Sequence, residues 1–165
     1  MPIEAQSQFP EATLYESTEF AAACPIRPDA INTREATKAR RIVLFGLPGA
    51  YTPTCSAEHV PGYLAAYEAL RAKGIDEIWC VSVNDGYVMA EWGRAQKALG
   101  KIRFLGDGQA ELATKLGLDE VIPGMGVRMK RCSMLIEDGV VKLVHIEQPR
   151  QFEVSDAKTM LAALS

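Results

Sequence analysis

The chain has 165 residues, of which 48% are hydrophobic and 24% charged, and its formal net charge is −3. This length and composition predict a single folded domain over residues 1–165 and exclude a disordered chain. The small negative charge offers nucleic acid no attraction, and no apolar run approaches a bilayer span, so neither nucleic acid nor a membrane is expected as a partner.

The predicted elements, in chain order, alternate between strands and helices after an irregular segment over residues 1–40. That segment holds one short helical turn after Asn32 or Thr33. Strands are predicted at residues 41–45, 77–83, 102–105, 133–137 and 140–146 from their apolar or alternating patterns. Helices are predicted at residues 60–74, 88–100, 109–117 and 155–164.

Three local signals refine these elements. Pro61 lies inside the first long helix, where it removes a backbone donor, so a kink is expected there. Asp138-Gly139 predicts a hairpin turn, and Ser155 is a candidate N-cap for the last helix. The resulting order, β-α-β-α-β-α-β-β-α, predicts an α/β fold with a central mixed β-sheet flanked by helices on both faces.

The four cysteines provide the first chemical signal. Cys24, Cys55, Cys80 and Cys132 show neither Cys-x-x-Cys nor zinc-type spacing, and only two histidines accompany them. The glycine-containing segments lack phosphate-binding and dinucleotide-binding patterns. We therefore predict no metal and no cofactor. Without a secretory signal, four thiols fit a reducing compartment, which we expect to be the cytoplasm.

Cys55 stands out because of its place in LPGAYTPTCS, the loop that follows the strand RIVLF. It falls in the predicted first turn of a helix, where unpaired backbone N–H groups and the helix dipole stabilise a thiolate. Thr52 offers a hydroxyl to the sulfur or to a bound oxygen. Pro48 and Pro53 stiffen the loop and remove donors that would solvate the sulfur.

A cation for this thiolate has to come from a distant segment. Arg128 and Arg131 precede a predicted strand, and because they are three residues apart they point to opposite sides of an extended segment. At most one is expected to face Cys55, and the residues alone do not choose between them.

Pro48-x3-Thr52-x2-Cys55 resembles the signature of the peroxiredoxin family. The segments VLFGLPGAYTPTCSAEHVPGY, SVNDGYVMAEWGRA and RCSMLIEDGVV resemble, in order, its type II (type-five-like, atypical) branch, over about residues 30–160. The resemblance implies a thioredoxin-like fold and a thiol-dependent peroxidase that reduces hydrogen peroxide and organic hydroperoxides. It also implies a homodimer that uses surfaces near the active-site loop.

The same resemblance implies a role for each matching residue. Cys55 would be the peroxidatic cysteine, which becomes sulfenic acid, and its backbone N–H would stabilise developing charge. Thr52 would hydrogen-bond the thiolate and the peroxide, and Pro48 would shield the pocket from water. The family arginine corresponds to Arg131, although Cys132 stands where an aromatic residue is common.

Two routes could reduce the sulfenic acid. The C-terminal segment EQPRQFEVSDAKTML has no resolving cysteine, whereas Cys80, 25 residues after Cys55, matches a second cysteine of related proteins. A Cys55–Cys80 disulfide requires the Cys55 turn to unwind. The other route uses an external thiol, glutathione with glutaredoxin or thioredoxin. Cys24 and Cys132 match no functional position.

Two other functions compete with the peroxidase. His59, four residues after Cys55, could form a Cys–His pair for acyl transfer in a hydrolase, or could simply be a solvated or loop-packed residue. The reactive cysteine could also serve a peroxide sensor that passes its oxidation to a partner protein.

Overall fold

A seven-stranded mixed β-sheet forms the centre of the computed structural model, which describes residues 1–164. The strands of the chain are β1 (Thr13–Glu16), β2 (Phe20–Ala21), β3 (Cys24–Pro25), β4 (Asp29–Asn32), β5 (Arg41–Gly46), β6 (Glu77–Ser82), β7 (Ile102–Gly106), β8 (Asp119–Ile122), β9 (Gly126–Met129), β10 (Cys132–Glu137) and β11 (Val140–Ile146). The central sheet has the order β11-β10-β5-β6-β7-β1-β4. Residue 165, the last of the predicted domain, lies outside the described range.

The three inner strands β5, β6 and β7 are parallel, and the strands on either side of them are antiparallel. Within residues 1–164, six short α-helices connect or flank the strands: α1 (Thr33–Thr37), α2 (Val60–Ala65), α3 (Tyr67–Ala72), α4 (Gly86–Ala95), α5 (Glu111–Leu116) and α6 (Ala157–Ala163). The predicted mixed sheet with flanking helices is confirmed.

The alternation of side chains along β5 divides the core into two layers. Val43 and Phe45 pack with residues of α2, α4 and α6 on one face of the sheet, which we call the α2 face. Ile42 and Leu44 pack with α5 on the opposite face, which we call the α5 face. Cys55 and Cys80 belong to the α2 face, whereas Cys132 belongs to the α5 face.

The prediction that residues 1–40 are irregular is wrong. β1 pairs antiparallel with both β4 and β7, so this segment completes one edge of the central sheet. In β1 only Leu14 is fully buried. The sequence therefore lacks the alternation of apolar and polar residues that would indicate a strand. The predicted helical turn is present as α1, with the side chain of Asn32 capping the amide of Glu35.

The hairpin of β8 and β9 was also not predicted. Its two strands pair only with each other, and most of their side chains are partly or fully exposed. Because neither face is buried, the hydrophobic pattern of a strand is missing from the sequence. This hairpin ends two residues before Arg131 and brings Arg128 to the candidate site.

The expected irregularity near Pro61 takes the form of a π-helical turn over Cys55–His59. The amide of Val60 donates to the carbonyl of Cys55, five residues earlier. Pro61 then sits at the start of α2, where its missing N–H is least costly. The helix thus widens immediately before the proline, and it breaks again at Ala66 between α2 and α3. π-helical turns are frequent at functional sites.

The last helix is α6, but Ser155 is not its N-cap. Asp156 occupies that position, and its carboxylate accepts from the amide of Thr159 at 3.2 Å. Ser155 is instead buried, and its carbonyl contacts the side chains of His59 and Tyr63. Within residues 1–164, no helix has the length and apolarity to cross a bilayer.

Candidate active site around Cys55

The loop that carries Cys55 begins at the carboxyl end of β5, in the middle of the sheet. The side chain of Asn84, just after β6, accepts from the amide of Ala50 at 3.0 Å and so anchors the loop. The hydroxyl of Thr52 donates to the carbonyl of Gly49 at 2.8 Å. Thr52 therefore closes the loop on itself, and its oxygen keeps lone pairs that can accept another hydrogen bond.

Cys55 lies in the first turn of the helix that follows, as predicted, and its side chain is fully buried. The amide of Ser56 donates to the carbonyl of Thr52 at 2.9 Å, so the amide of Cys55 precedes the hydrogen-bonded ladder of the helix. Trp92 of α4 donates from Nε1 to the hydroxyl of Ser56 at 3.1 Å. This bond ties the first turn to the core.

Arg131 is the cation that reaches the sulfur. Its Nη2 donates to Sγ of Cys55 at 3.1 Å, and the two residues are 76 positions apart. The placement follows from strand register, because Cys132 pairs with Gly46 at the end of β5. Cys132 faces the α5 face, so Arg131, one residue earlier, faces the α2 face where Cys55 lies.

Arg128 reaches the loop but does not contact the sulfur, in line with the expectation that at most one of the two arginines faces Cys55. Its Nη1 donates to the carbonyl of Pro48 at 3.2 Å, and its Nε donates to the carbonyl of Met125 at 3.1 Å. The two arginines do not share one extended strand, because the strand is interrupted between Met129 and Cys132 and Arg128 belongs to the separate hairpin. Arg131 contacts the sulfur, and Arg128 holds the loop.

His59 is part of the site but is neither solvated nor placed as a general base for Cys55. Its Nδ1 lies 2.9 Å from Nη1 of Arg131, and its Nε2 lies 3.0 Å from the carbonyl of Ser155. Because an arginine can only donate, Nδ1 accepts and Nε2 carries the hydrogen. Burial, reinforced by the charge of Arg131, lowers the pKa of His59 to about 3. Its one lone pair is engaged by Arg131, which argues against the Cys–His hydrolase.

A carboxylate behind this histidine completes the site. Glu147, immediately after β11, is 7% exposed and accepts hydrogen bonds from the amides of Glu153, Val154 and Ser155 and from the hydroxyl of Ser155. Burial alone would raise the pKa of Glu147, but the hydrogen bonds from Glu153, Ser155 and Val154 outweigh it and lower the pKa.

A cleft of about 830 Å³ opens beside the buried sulfur. Its lining includes Pro48, Thr54 and Arg131 as well as residues 148–152. The cleft gives a small molecule a path to the Arg131 guanidinium. Within residues 1–164, no group of three or more histidine, cysteine or acidic side chains is arranged to hold a metal ion.

The other three thiols have different surroundings, and all four cysteines of the described chain are free. Cys80 is fully buried in β6, and burial, with the charge of Cys55 adding to it, raises its pKa well above the usual range. Burial raises the pKa of Cys132 to about 12. Cys24 is exposed in β3.

The four predicted catalytic residues therefore lie on one loop and at one strand end, and the structure brings Cys55 and Arg131 into direct contact. Pro48 and Thr52 shape the loop beside them. The candidate resolving cysteine, Cys80, lies within β6. Sequence reasoning did not identify the roles of Glu147 and Ser155. The only signal in the sequence was the position of Ser155 near the predicted start of the last helix, which suggested an N-cap.

Comparisons with known proteins agree with this geometry. The sequence profile of the Redoxin family matches residues 4–161. Peroxiredoxin-2B of Arabidopsis thaliana is 42% identical over 127 residues, covering 76% of this chain and 78% of that protein. Peroxiredoxin-2D of the same plant is 39% identical over 136 residues, covering 81% and 84%.

Solved structures show the same similarity over nearly the whole chain. Reduced Prx3 of Vibrio vulnificus in complex with hydrogen peroxide is 41% identical, with a TM-score of 0.92 and 99% of each chain covered. A Burkholderia cenocepacia protein with the provisional name thioredoxin reductase is 48% identical, with a TM-score of 0.94 and coverage of 100% and 99%. The expected thioredoxin-like fold is confirmed.

Proposed function

The chain belongs to the Redoxin family as a peroxiredoxin of the type II branch, and we propose that Cys55 is its peroxidatic cysteine. The protein is a thiol-dependent peroxidase. One observation supports the assignment of Cys55 most strongly: among the four described thiols, it is the one that accepts a hydrogen bond from an arginine. A nearby guanidinium stabilises a thiolate, and the thiolate is the nucleophile.

In the proposed reaction, the Cys55 thiolate attacks the terminal oxygen of a hydroperoxide. A sulfur–oxygen bond forms, the oxygen–oxygen bond breaks, and the leaving alkoxide or hydroxide takes up a proton to leave as an alcohol or water. The cysteine becomes a sulfenic acid. Arg131 donates to the sulfur in the resting site and can donate to the oxygen where negative charge develops.

The loop residues support this step in different ways. The backbone amide of Cys55 lies at the start of the helix and is a second donor toward the developing charge. The oxygen of Thr52 can accept the hydrogen of the bound hydroperoxide, because its own hydroxyl hydrogen is given to Gly49. Pro48 lines the cleft with a group that cannot donate, which keeps competing donors away from the sulfur.

We propose that an external thiol reduces the sulfenic acid, with glutathione and glutaredoxin or with thioredoxin as the physiological reductant. A thiol attacks the sulfenic sulfur, water leaves, and a second thiol then releases Cys55 from the mixed disulfide. Cys80 lies in the same core layer as Cys55 but is fully buried within a strand. Its raised pKa disfavours the thiolate that resolution requires.

We also propose a homodimer that works in the cytoplasm. Tyr51 lies within the active-site loop with its ring 55% exposed, and aromatic residues are enriched at protein–protein interfaces. Four free thiols fit a reducing compartment. Sedimentation velocity at micromolar concentration tests the assembly: a monomer over the whole concentration range would contradict it.

Turnover with defined reductants tests the function itself. Peroxide consumption is followed with excess hydrogen peroxide and either glutathione plus glutaredoxin or thioredoxin plus its reductase. Multiple turnovers with at least one of these systems support the peroxidase. Arrest after one equivalent of peroxide with both systems would instead favour a sensor.

A further inference from the structure

The segment 148–155, which we call the strap, returns from the end of β11 to the start of α6 across the candidate site. A single buried carboxylate closes it. Oε2 of Glu147 accepts from the amides of Glu153, Val154 and Ser155, each at 2.8 Å, and from the hydroxyl of Ser155 at 2.7 Å. Oε1 accepts from the amide of Glu153 at 3.0 Å. Without this acceptor, three consecutive amides would lose their partner.

The closed strap presents one backbone carbonyl to the site. The oxygen of Ser155 accepts from Nε2 of His59 at 3.0 Å and from the hydroxyl of Tyr63 at 2.9 Å. The ring of Phe152, also on the strap, lies edge-on to His59 with a centroid distance of 4.9 Å. The same ring lies 5.8 Å from the guanidinium carbon of Arg131. The strap therefore holds His59 by a hydrogen bond and by packing.

The orientation of His59 then fixes Arg131. With the hydrogen of His59 on Nε2, the lone pair is on Nδ1 and faces Nη1 of Arg131. The other terminal nitrogen of Arg131 is directed at Cys55. If the hydrogen moved to Nδ1, it would face the donor group of Arg131, and the guanidinium would have to turn away. The amide of Glu147 also donates to the carbonyl of Arg131 at 2.9 Å. Glu147 and Arg131 are therefore bonded through their backbones as well as linked through Ser155 and His59.

We propose that Glu147 is a positioning residue for the peroxidase reaction. By closing the strap, its carboxylate places the Ser155 carbonyl, which selects the His59 tautomer that aims Arg131 at Cys55. Glu147 does not touch the sulfur, and its effect reaches the sulfur through Ser155, His59 and Arg131. The inference rests on the proposed role of Cys55 and Arg131 and adds a residue that acts on them from a distance.

Two variants of Glu147 and one control test the proposal. Glu147→Ala removes the acceptor, and Glu147→Gln keeps its size but turns one acceptor into a donor that faces the strap amides. Glu137→Gln is the control, because it removes one carboxylate at the far end of the same β10–β11 hairpin, where Glu137 pairs with Arg41 at 3.1 Å. Each protein is examined by rapid mixing with hydrogen peroxide and by ¹⁵N NMR of the histidine rings.

We expect Glu147→Ala to slow the oxidation of Cys55 by about ten- to a hundredfold, because a displaced donor no longer meets the reacting atoms. Glu147→Gln is expected to slow it less, and Glu137→Gln to leave it unchanged. In the NMR spectra, His59 of the wild type shows its proton on Nε2 alone. In Glu147→Ala a second tautomer should appear, an effect that general destabilisation of a folded protein would not produce.

Wild-type oxidation rates in folded Glu147→Ala would overturn the proposal, and so would a slower rate with an unchanged His59 tautomer. If Glu147→Ala does not fold, Glu147→Gln provides the same two readouts. A wild-type protein that reduces no peroxide would refute the proposed function instead, and the NMR comparison would still test the positioning.

Discussion

Arg131 donates a hydrogen bond from Nη2 to Sγ of Cys55 across 3.1 Å, although 76 residues separate the two in the chain. Its second nitrogen is held by His59 at 2.9 Å. This arrangement places one positive charge next to a fully buried sulfur, while Arg131 itself is half-buried and lines the cleft. The reactivity of the site should therefore depend on Arg131 more than on any exposed charge.

Arg131→Ala should lower the second-order rate of Cys55 oxidation by about a hundred- to a thousandfold, the usual cost of losing one donor to developing negative charge. Arg131→Lys should also be impaired, because an ammonium cannot bond His59 and Cys55 in the same fixed plane. Stopped-flow mixing with hydrogen peroxide measures both. Arg34→Lys, at an exposed position of α1, is the matched control. An Arg131→Ala rate within threefold of wild type would contradict this role.

The stability of the protein should depend on pH through His59. The pKa of this residue is about 3 in the folded protein, against 6.5 for an ordinary histidine. Between these values the unfolded chain binds a proton that the folded protein does not, so acidification favours unfolding. The contribution of His59 to the free energy of unfolding is fully present above pH 6.5. It is lost as the pH falls toward 3, by up to about 1.4 kcal/mol per pH unit.

Urea unfolding at pH 6.5 and pH 5.0 measures this dependence. The free energy of unfolding of the wild type should fall by roughly 2 kcal/mol over this interval. His59→Gln should be less stable overall but should lose most of the slope. His145→Gln, which removes the other histidine, should keep it. Equal slopes in His59→Gln and the wild type would show that His59 is not the titrating group.

The four thiols should differ in their reactions. Cys24 is exposed and should be alkylated by iodoacetamide in the native protein, whereas Cys80 and Cys132 should react only after denaturation. Cys80→Ser should keep its turnover with an external thiol. Peptide mapping after one equivalent of peroxide provides the decisive comparison. A Cys55–Cys80 disulfide peptide as the main product would establish the internal route and contradict the external one.

The central strands were predictable because burial leaves a strong pattern. β5 and β6 are nearly continuous apolar runs between turn residues, and the Asp138-Gly139 turn marks the hairpin of β10 and β11. The edge strand β4, its neighbour β1 and the β8–β9 hairpin bury few side chains. Their pairing depends on backbone hydrogen bonds, which leave no hydrophobic pattern in the sequence.

The candidate site divides in a similar way. Cys55, Thr52 and Pro48 lie within eight residues and form a local signature, and family resemblance selected Arg131 from two arginines. The contacts of His59 join it to Arg131, 72 residues away, and to Ser155, 96 residues away. Such pairs depend on how the strap crosses the end of the sheet, which the sequence does not show. The four-residue spacing of Cys55 and His59 alone therefore suggested that His59 is a general base.

The most direct test of the role of Cys55 is hydrogen peroxide consumption by Cys55→Ser and wild-type protein, each with excess dithiothreitol as the reductant. Cys24→Ser serves as the control for replacing an exposed thiol. We expect many turnovers for wild type and Cys24→Ser and none for Cys55→Ser. When reductant is omitted, sulfenic acid should be trapped on Cys55 of the wild type. Peroxide consumption by Cys55→Ser at the wild-type rate would contradict this role of Cys55.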